Sequence, residues 1–190
     1  MKALILENPM QRITLTMILL SAFTTPLMLS AVNVALPSIA NDLSMNAVLL
    51  SWIPMAYLMA SAMFVLIFGR IADMIGRKKI FLIGTSSVIV TSLIAASVDS
   101  GITLITARFL QGVSAAMLYA TQVAIISSVF PPAKRGYVIG LTVSAIYFGL
   151  TIGPLIGGYI IDLYGWRGSF MVHIPLAIIA LTIGVLYVKD

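Results

Sequence analysis

Apolar positions fall into six long stretches broken by short polar segments: residues 13–35, 50–68, 80–96, 102–130, 137–161 and 170–188. An α-helix needs about 20 mostly apolar residues, at roughly 1.5 Å each, to cross hydrocarbon, and each stretch is close to or above that length. The pattern predicts an all-α membrane protein with residues 1–12 as an amino-terminal segment and residues 13–188 as a bundle of six transmembrane helices. The connections leave no room for a soluble domain. Helices one to three and four to six have similar spacing, and the basic turns 69–79 and 131–136 occupy corresponding places. An internal repeat of three plus three helices is therefore expected.

Composition sharpens this picture. Of 190 residues, 61% are hydrophobic and 9% charged, with a mean hydropathy of +1.11, which excludes a soluble enzyme and a disordered tail. The charges sit almost wholly between the stretches, because an unpaired charge in hydrocarbon costs several kcal/mol. Lys2, Arg12, Arg70, Arg77, Lys78, Lys79, Lys134, Arg135 and Lys189 fall on one side, and only Arg167 on the other, with Asp42, Asp99 and Asp162. By the positive-inside rule both termini are cytoplasmic. The net charge of +5 then reflects topology, and no nucleic-acid partner is implied. Lys2 and Arg12 before an apolar run resemble a signal peptide, but the run continues to Ala35 without a small-residue cleavage site, so a retained first helix is expected. The absence of cysteine removes thiol chemistry and leaves the redox compartment unread.

One charge lies inside a stretch. Arg108 is about seven residues, roughly 10 Å, inside the outer end of helix four, at an insertion burden of about 2.5 to 3.5 kcal/mol. At 100° per residue, Gln111, Gly112, Ala115, Tyr119 and Gln122 share its face within about 60°. A polar and small face of this kind is expected to line an aqueous cavity; the alternative is an arginine that pins helices by bonding backbone carbonyls. The turn after helix two places Gly69 where another backbone can approach, Gly76 where a tight turn is needed, and Asp73 as an acceptor among Arg70, Arg77, Lys78 and Lys79. In helix five, Gly149, Gly153, Pro154, Gly157 and Gly158 form overlapping GxxxG steps around a proline, which predicts a bent, closely packed helix. Trp52, Met55, Met59 and Leu66 share a face of helix two, suited either to packing and lipid or to a varied ligand. His173, the sole histidine, fits a local hydrogen-bonding role and cannot form a multi-histidine metal site. With no Ser/His/Asp arrangement, metal-ligand cluster or carboxylate pair in the spans, neither an enzyme nor a cofactor is expected.

These segments together resemble the major facilitator superfamily, and within it the fourteen-helix drug:proton antiporters. The loop 69–79 is similar to the signature between helices two and three, the Arg108 segment to that of helix four, and the Gly153-Pro154 segment to the antiporter signature of helix five. Asn33-Val34-Ala35-Leu36-Pro37, Trp52 with Tyr57, and Gly165-Trp166-Arg167 with Phe170 extend the resemblance from about residue 26 to 176. The resemblance implies one major-facilitator-type bundle in the cell membrane, its cavity lined by helices one and four. It implies that Arg108, with Gln111, Tyr119, Gln122 and Asn33, serves proton coupling and the cavity. Gly69, Asp73, Gly76 and Arg77 would latch the cytoplasmic side, and Gly149, Gly153, Pro154, Gly157 and Gly158 would form the antiporter hinge.

The sequence also departs from the family pattern. Met28 stands where an acid is often found, Met74 follows Asp73 where a base is common, and no Asp or Glu lies inside a span. Members have twelve or fourteen helices, so a second bundle of six or eight is expected as a partner, as a missing half, a separate chain or a second copy. Without it, the small-residue faces of helices two and five, and Arg108, would lie open to lipid. The expected function is the amino-terminal half of a proton-coupled exporter of small molecules working by alternating access. The alternative is a non-transporting half-bundle acting as a binding or assembly subunit or an inactive remnant.

Overall fold

A computed structural model describes residues 8–187 of the chain. Lys2, Glu7, Lys189 and Asp190, which belong to the terminal segments, lie outside these residues. Six helical spans run as α1 (Pro9–Asp42), α2 (Ala47–Ile75), α3 (Arg77–Ser97), α4 (Gly101–Val129), α5 (Pro132–Tyr164), and a last span in two pieces, α6 (Gly168–Met171) and α7 (Ile174–Tyr187). Their ends follow local chemistry. Asn8 Oδ1 accepts from Met10 N at 2.9 Å and Asn46 Oδ1 from Leu49 N at 2.9 Å, each satisfying an orphan donor of a first turn. Pro9 and Pro132 open α1 and α5, where a missing N–H costs nothing. Gly76, at φ +108°, makes the break between α2 and α3 that side-chain-bearing residues rarely adopt.

Two differences from the apolar pattern have physical reasons. α1 has 34 residues, about 50 Å of helix, because helical structure continues past the apolar run and out of a hydrocarbon core of about 30 Å. The last stretch is interrupted at Val172 and His173, because Pro175 has no N–H for the Met171 carbonyl and its ring crowds that carbonyl.

The packing is that of a repeat. α1 lies chiefly against α5 and α2 against α4, while α3 packs on α4 and α7 on α1. Exchanging the first three spans for the last three maps each pair onto the other. One apolar cluster gathers Val32, Ala35, Ile53, Tyr57, Leu104, Trp166 and Phe170 toward the Arg167 end, and a second gathers Ile18, Phe81, Leu118, Ile126, Phe130 and Val138 toward the Arg77 end. The outward faces of α2 and α5 stay uncovered within the chain, with Met55, Leu58, Met63 and Leu66 on α2 and Tyr147, Phe148, Leu155 and Tyr159 on α5 exposed.

The glycine face of α5 does not lie open, as the sequence led one to expect. A Cβ on Gly149 would stand 2.5 Å from the Phe23 carbonyl oxygen, one on Gly153 2.5 Å from Ser30 Cβ, and one on Gly157 2.8 Å from Ala31 Cα. The partner of this face is α1 of the same chain, and Ser30 Oγ donates to the Leu150 carbonyl at 3.0 Å across the contact. Pro154 sits inside an unbroken α5. Gly158 lies off the contact, with open space around it.

Candidate functional site

Arg108 is fully buried, as are Tyr57, Gln111, Ser92 and His173. It is enclosed because Gly112, one turn along α4, lets the α2 backbone at Tyr57 come down onto the same face, with Ala60 beside it. The Tyr57 ring then lies under the guanidinium at 4.4 Å and the Phe170 ring at 5.9 Å. Such cation–π contacts offset part of the desolvation of a buried cation. Arg108 Nε donates to the Ile53 carbonyl of α2 at 3.2 Å, and Nη1 donates to Gln111 Oε1. Nη2 is buried with no acceptor among the described residues.

Gln111 passes the network on. Its Nε2 donates to Ser92 Oγ of α3 at 2.6 Å and approaches Met28 Sδ of α1 at 3.0 Å. Ser92 Oγ also meets His173 Nε2 at 3.1 Å, so the set ties α1, α2, α3, α4 and the break before α7 to one cation. Tyr57 and Tyr119 share a hydroxyl contact of 3.0 Å beside it.

The expected face is therefore assembled only in part. Arg108 and Gln111 meet, and Tyr119 joins them through Tyr57. Gln122 donates instead to Ser21 Oγ of α1 at 3.1 Å. Asn33 is exposed, five residues and about 140° around α1 from buried Met28. Arg108 and Gln111 have no exposed surface, so they line no open cavity here, and Arg108 does not face lipid: α2 covers them. Of the Arg108 donors, Nε goes to the backbone carbonyl of Ile53 and Nη1 to the Gln111 side chain, while Nη2 is left unspent. Ser92, Met28, Tyr57 and the His173 ring were not picked out as partners of Arg108 from the sequence.

The turn 69–79 is structured. Arg77 pairs with Asp73 at 3.0 Å, one helical turn away, and its Nη1 donates to the Ala124 carbonyl of α4 at 3.0 Å. Arg135 donates to the carbonyls of Phe130 and Ser127, and Gln11 to that of Val129, so three helices satisfy the carbonyl end of α4. Asp73, Gly76 and Arg77 line a cleft of about 590 Å³ beside that end. A Cβ on Gly69 would touch nothing within 4 Å, so the close approach expected there is not made inside this bundle.

At the opposite end, Arg167 binds Asp42 at 2.9 Å, Asp99 at 2.9 Å and the Val98 carbonyl at 3.1 Å, stacked on Trp166 at 4.4 Å. Trp166 Nε1 donates to Asp42 at 2.8 Å. Asp42 lies past the apolar run of α1, and the indole donor first, then the guanidinium, hold its carboxyl below the usual carboxylate range.

Comparison with known proteins bears on what this arrangement is. The Major Facilitator Superfamily model matches residues 18–190. Over 173 residues, 91% of the chain, it is 33% identical to the riboflavin transporter RibZ of Clostridioides difficile (strain 630), of which it covers 38%. Over 184 residues, 96% of the chain, it is 34% identical to the multidrug resistance protein Stp of Mycobacterium tuberculosis (strain CDC 1551 / Oshkosh), of which it covers 34%. The chain thus spans about a third of the length of these relatives. Among solved structures, the proton:xylose symporter XylE bound to 6-bromo-6-deoxy-D-glucose superposes with a TM-score of 0.81 at 15% identity, over 93% of this chain and 44% of that one. That likeness is one of fold.

Proposed function

The chain belongs to the major facilitator superfamily and is a multi-pass membrane protein, and from that premise we propose that it is the amino-terminal half of a proton-coupled exporter of small molecules. The observation that carries the reading is Arg108, a cation buried in the span with one amino group lacking an acceptor, in a chain similar to a multidrug resistance protein. An unspent donor at that depth suits a group that meets an anionic or polar partner when the bundle changes state. No Asp or Glu lies within the apolar stretches, so the carboxylate that carries the proton belongs to the second bundle.

In this reading the Arg77 end is cytoplasmic and the membrane is the cell membrane. Asp73 and Arg77, paired with each other and tied to α4 through Arg77, latch that side with Gly69 and Gly76, and the glycine contact of α5 on α1 is the hinge. The uncovered faces of α2 and α5 meet the second bundle of six or eight helices, and substrate and protons are handled between the two halves by alternating access.

The test is efflux of ethidium by cells carrying the assembled transporter, driven by an imposed proton gradient. Arg108→Ala at equal membrane abundance should lower the rate at least tenfold. Efflux unchanged by Arg108→Ala would sink the coupling role, and absence of efflux from the unaltered assembly would favour the non-transporting half-bundle.

A further inference from the structure

The hydrogen-bond network around Arg108 has a direction. A guanidinium only donates, so the Gln111 group facing Arg108 Nη1 must be the amide oxygen. The Gln111 amide nitrogen then faces Ser92 Oγ, as the 2.6 Å contact has it, and Ser92 must accept. The single proton of Ser92 goes to the Val88 carbonyl one turn back at 2.6 Å. A hydroxyl with its proton committed has only lone pairs left, so His173 Nε2, at 3.1 Å, must be a donor too. His173 Nδ1 is then the unprotonated nitrogen, and it is buried with no partner among the described residues.

We infer that His173 is a positioning residue for Arg108: held as the Nε2–H tautomer, it fixes Ser92 as an acceptor, Ser92 fixes the Gln111 amide, and Gln111 holds one edge of the guanidinium so that Nη2 stays unpaired. Each link is directional, and no alternative tautomer satisfies all of them. If His173 carried its proton on Nδ1, its bare Nε2 would need the Ser92 proton, and Ser92 would leave the Val88 carbonyl. If the Gln111 amide were turned over, two donors would face each other at Arg108. The ionisable groups around the network are Arg108 and Tyr119 on α4 and Tyr57 on α2; α1 and α3 contribute Met28 and Ser92, which carry no charge. The placement of His173 is itself local: it stands in the break before α7 that Pro175 imposes, where the ring can reach α3.

The inference deepens the reading of Arg108 as the coupling group, but its test does not involve transport. His173 is the only histidine, so the 190-residue chain labelled with ¹⁵N-histidine in lipid nanodiscs gives one imidazole to assign by nitrogen chemical shift. The expected spectrum at neutral pH is a protonated Nε2 and a bare Nδ1. Ser92→Ala, which removes the acceptor and little volume, should turn the single tautomer into a mixture. A second label, ¹⁵Nε-arginine, reports Arg108, assigned by loss of its signal in Arg108→Lys. His173→Leu should shift that signal, and His173→Gln, whose amide can still donate to Ser92, should restore it. An Nδ1–H or doubly protonated imidazole in the unaltered chain, a tautomer untouched by Ser92→Ala, or an Arg108 signal blind to His173→Leu would each overturn the inference.

Discussion

Gly112 of α4 lies against the Tyr57 carbonyl of α2, closer than any side chain would permit, and this contact shuts α2 over Arg108. The neighbouring atoms are helix backbone, which cannot swing aside as a side chain can. Gly112→Ala should therefore separate α2 from α4 and destabilise the bundle by about 1–3 kcal/mol, the usual range for overpacking. Detergent-denaturant titration of the helical circular dichroism signal measures it. An unchanged midpoint would mean that the two helices are not in this register.

The glycines of α5 provide an internal comparison. A Cβ at Gly153 meets Ser30 Cβ at 2.5 Å and the Leu27 carbonyl at 3.1 Å, whereas one at Gly158 meets nothing. Gly153→Ala should lower stability measurably and Gly158→Ala should leave the isolated chain unchanged. In the proposed two-bundle transporter Gly158→Ala should carry a cost of its own, because a second bundle on the outward face of α5 would approach there. Equal tolerance of Gly158→Ala in both forms would argue against that face as the contact.

How much of this was legible beforehand differs from residue to residue. Six spans and the depth of Arg108 could be read because hydrocarbon tolerates so few charges that a single arginine stands out. The glycine spacing of α5 announced a close contact, but spacing gives only the face, not the neighbour, and α1 proved to be the partner. Ser92 carried no signal, since a serine that bonds its own helix is ordinary in apolar helices, and Met28 stood out only as a departure from the family's acid, not as a neighbour of Gln111. Asn33 and Gln122 were grouped with Arg108 by motif and by angle. Register along α1 carries Asn33 to the outside, and Ser21 draws Gln122 away. Pro175 was visible in the sequence, but its interruption of the last span, which frees His173, depends on where the helix starts.

The Arg167 clamp should matter little to overall stability and depend on salt. Its members are substantially exposed, with Asp99 at 89%, and exposed pairs are screened over about 10 Å at 0.1 M salt. Asp42 has its carboxyl held below the ordinary value, so whatever stability it contributes is present above that ordinary value and lost only as pH falls through the lowered one. Arg167→Gln should thus produce a small loss that is constant from pH 5 to 8 and fades in 1 M salt, read by the same denaturant titration. A loss that grows between pH 8 and pH 5 would mean that another group governs this end.

Arg108→Met separates stability from function. The guanidinium is fully buried, and its bonds to Ile53 and Gln111 and its stacking on Tyr57 must repay the removal of a cation from water. One amino group receives no repayment here. An apolar chain of similar length removes that burden, and replacing buried ionic groups by packed apolar ones is often neutral or stabilising by about 1–4 kcal/mol. It leaves the Gln111 amide oxygen without its donor, which sets a cost of about 1–3 kcal/mol against the gain. The two ranges are similar in size and nearly cancel at their centres, so the isolated chain should keep its stability to within about 2 kcal/mol, while in the proposed exporter proton-driven efflux should fall at least tenfold. A variant that unfolds would instead make Arg108 a pin between α2 and α4, and its loss of efflux would then say nothing about coupling.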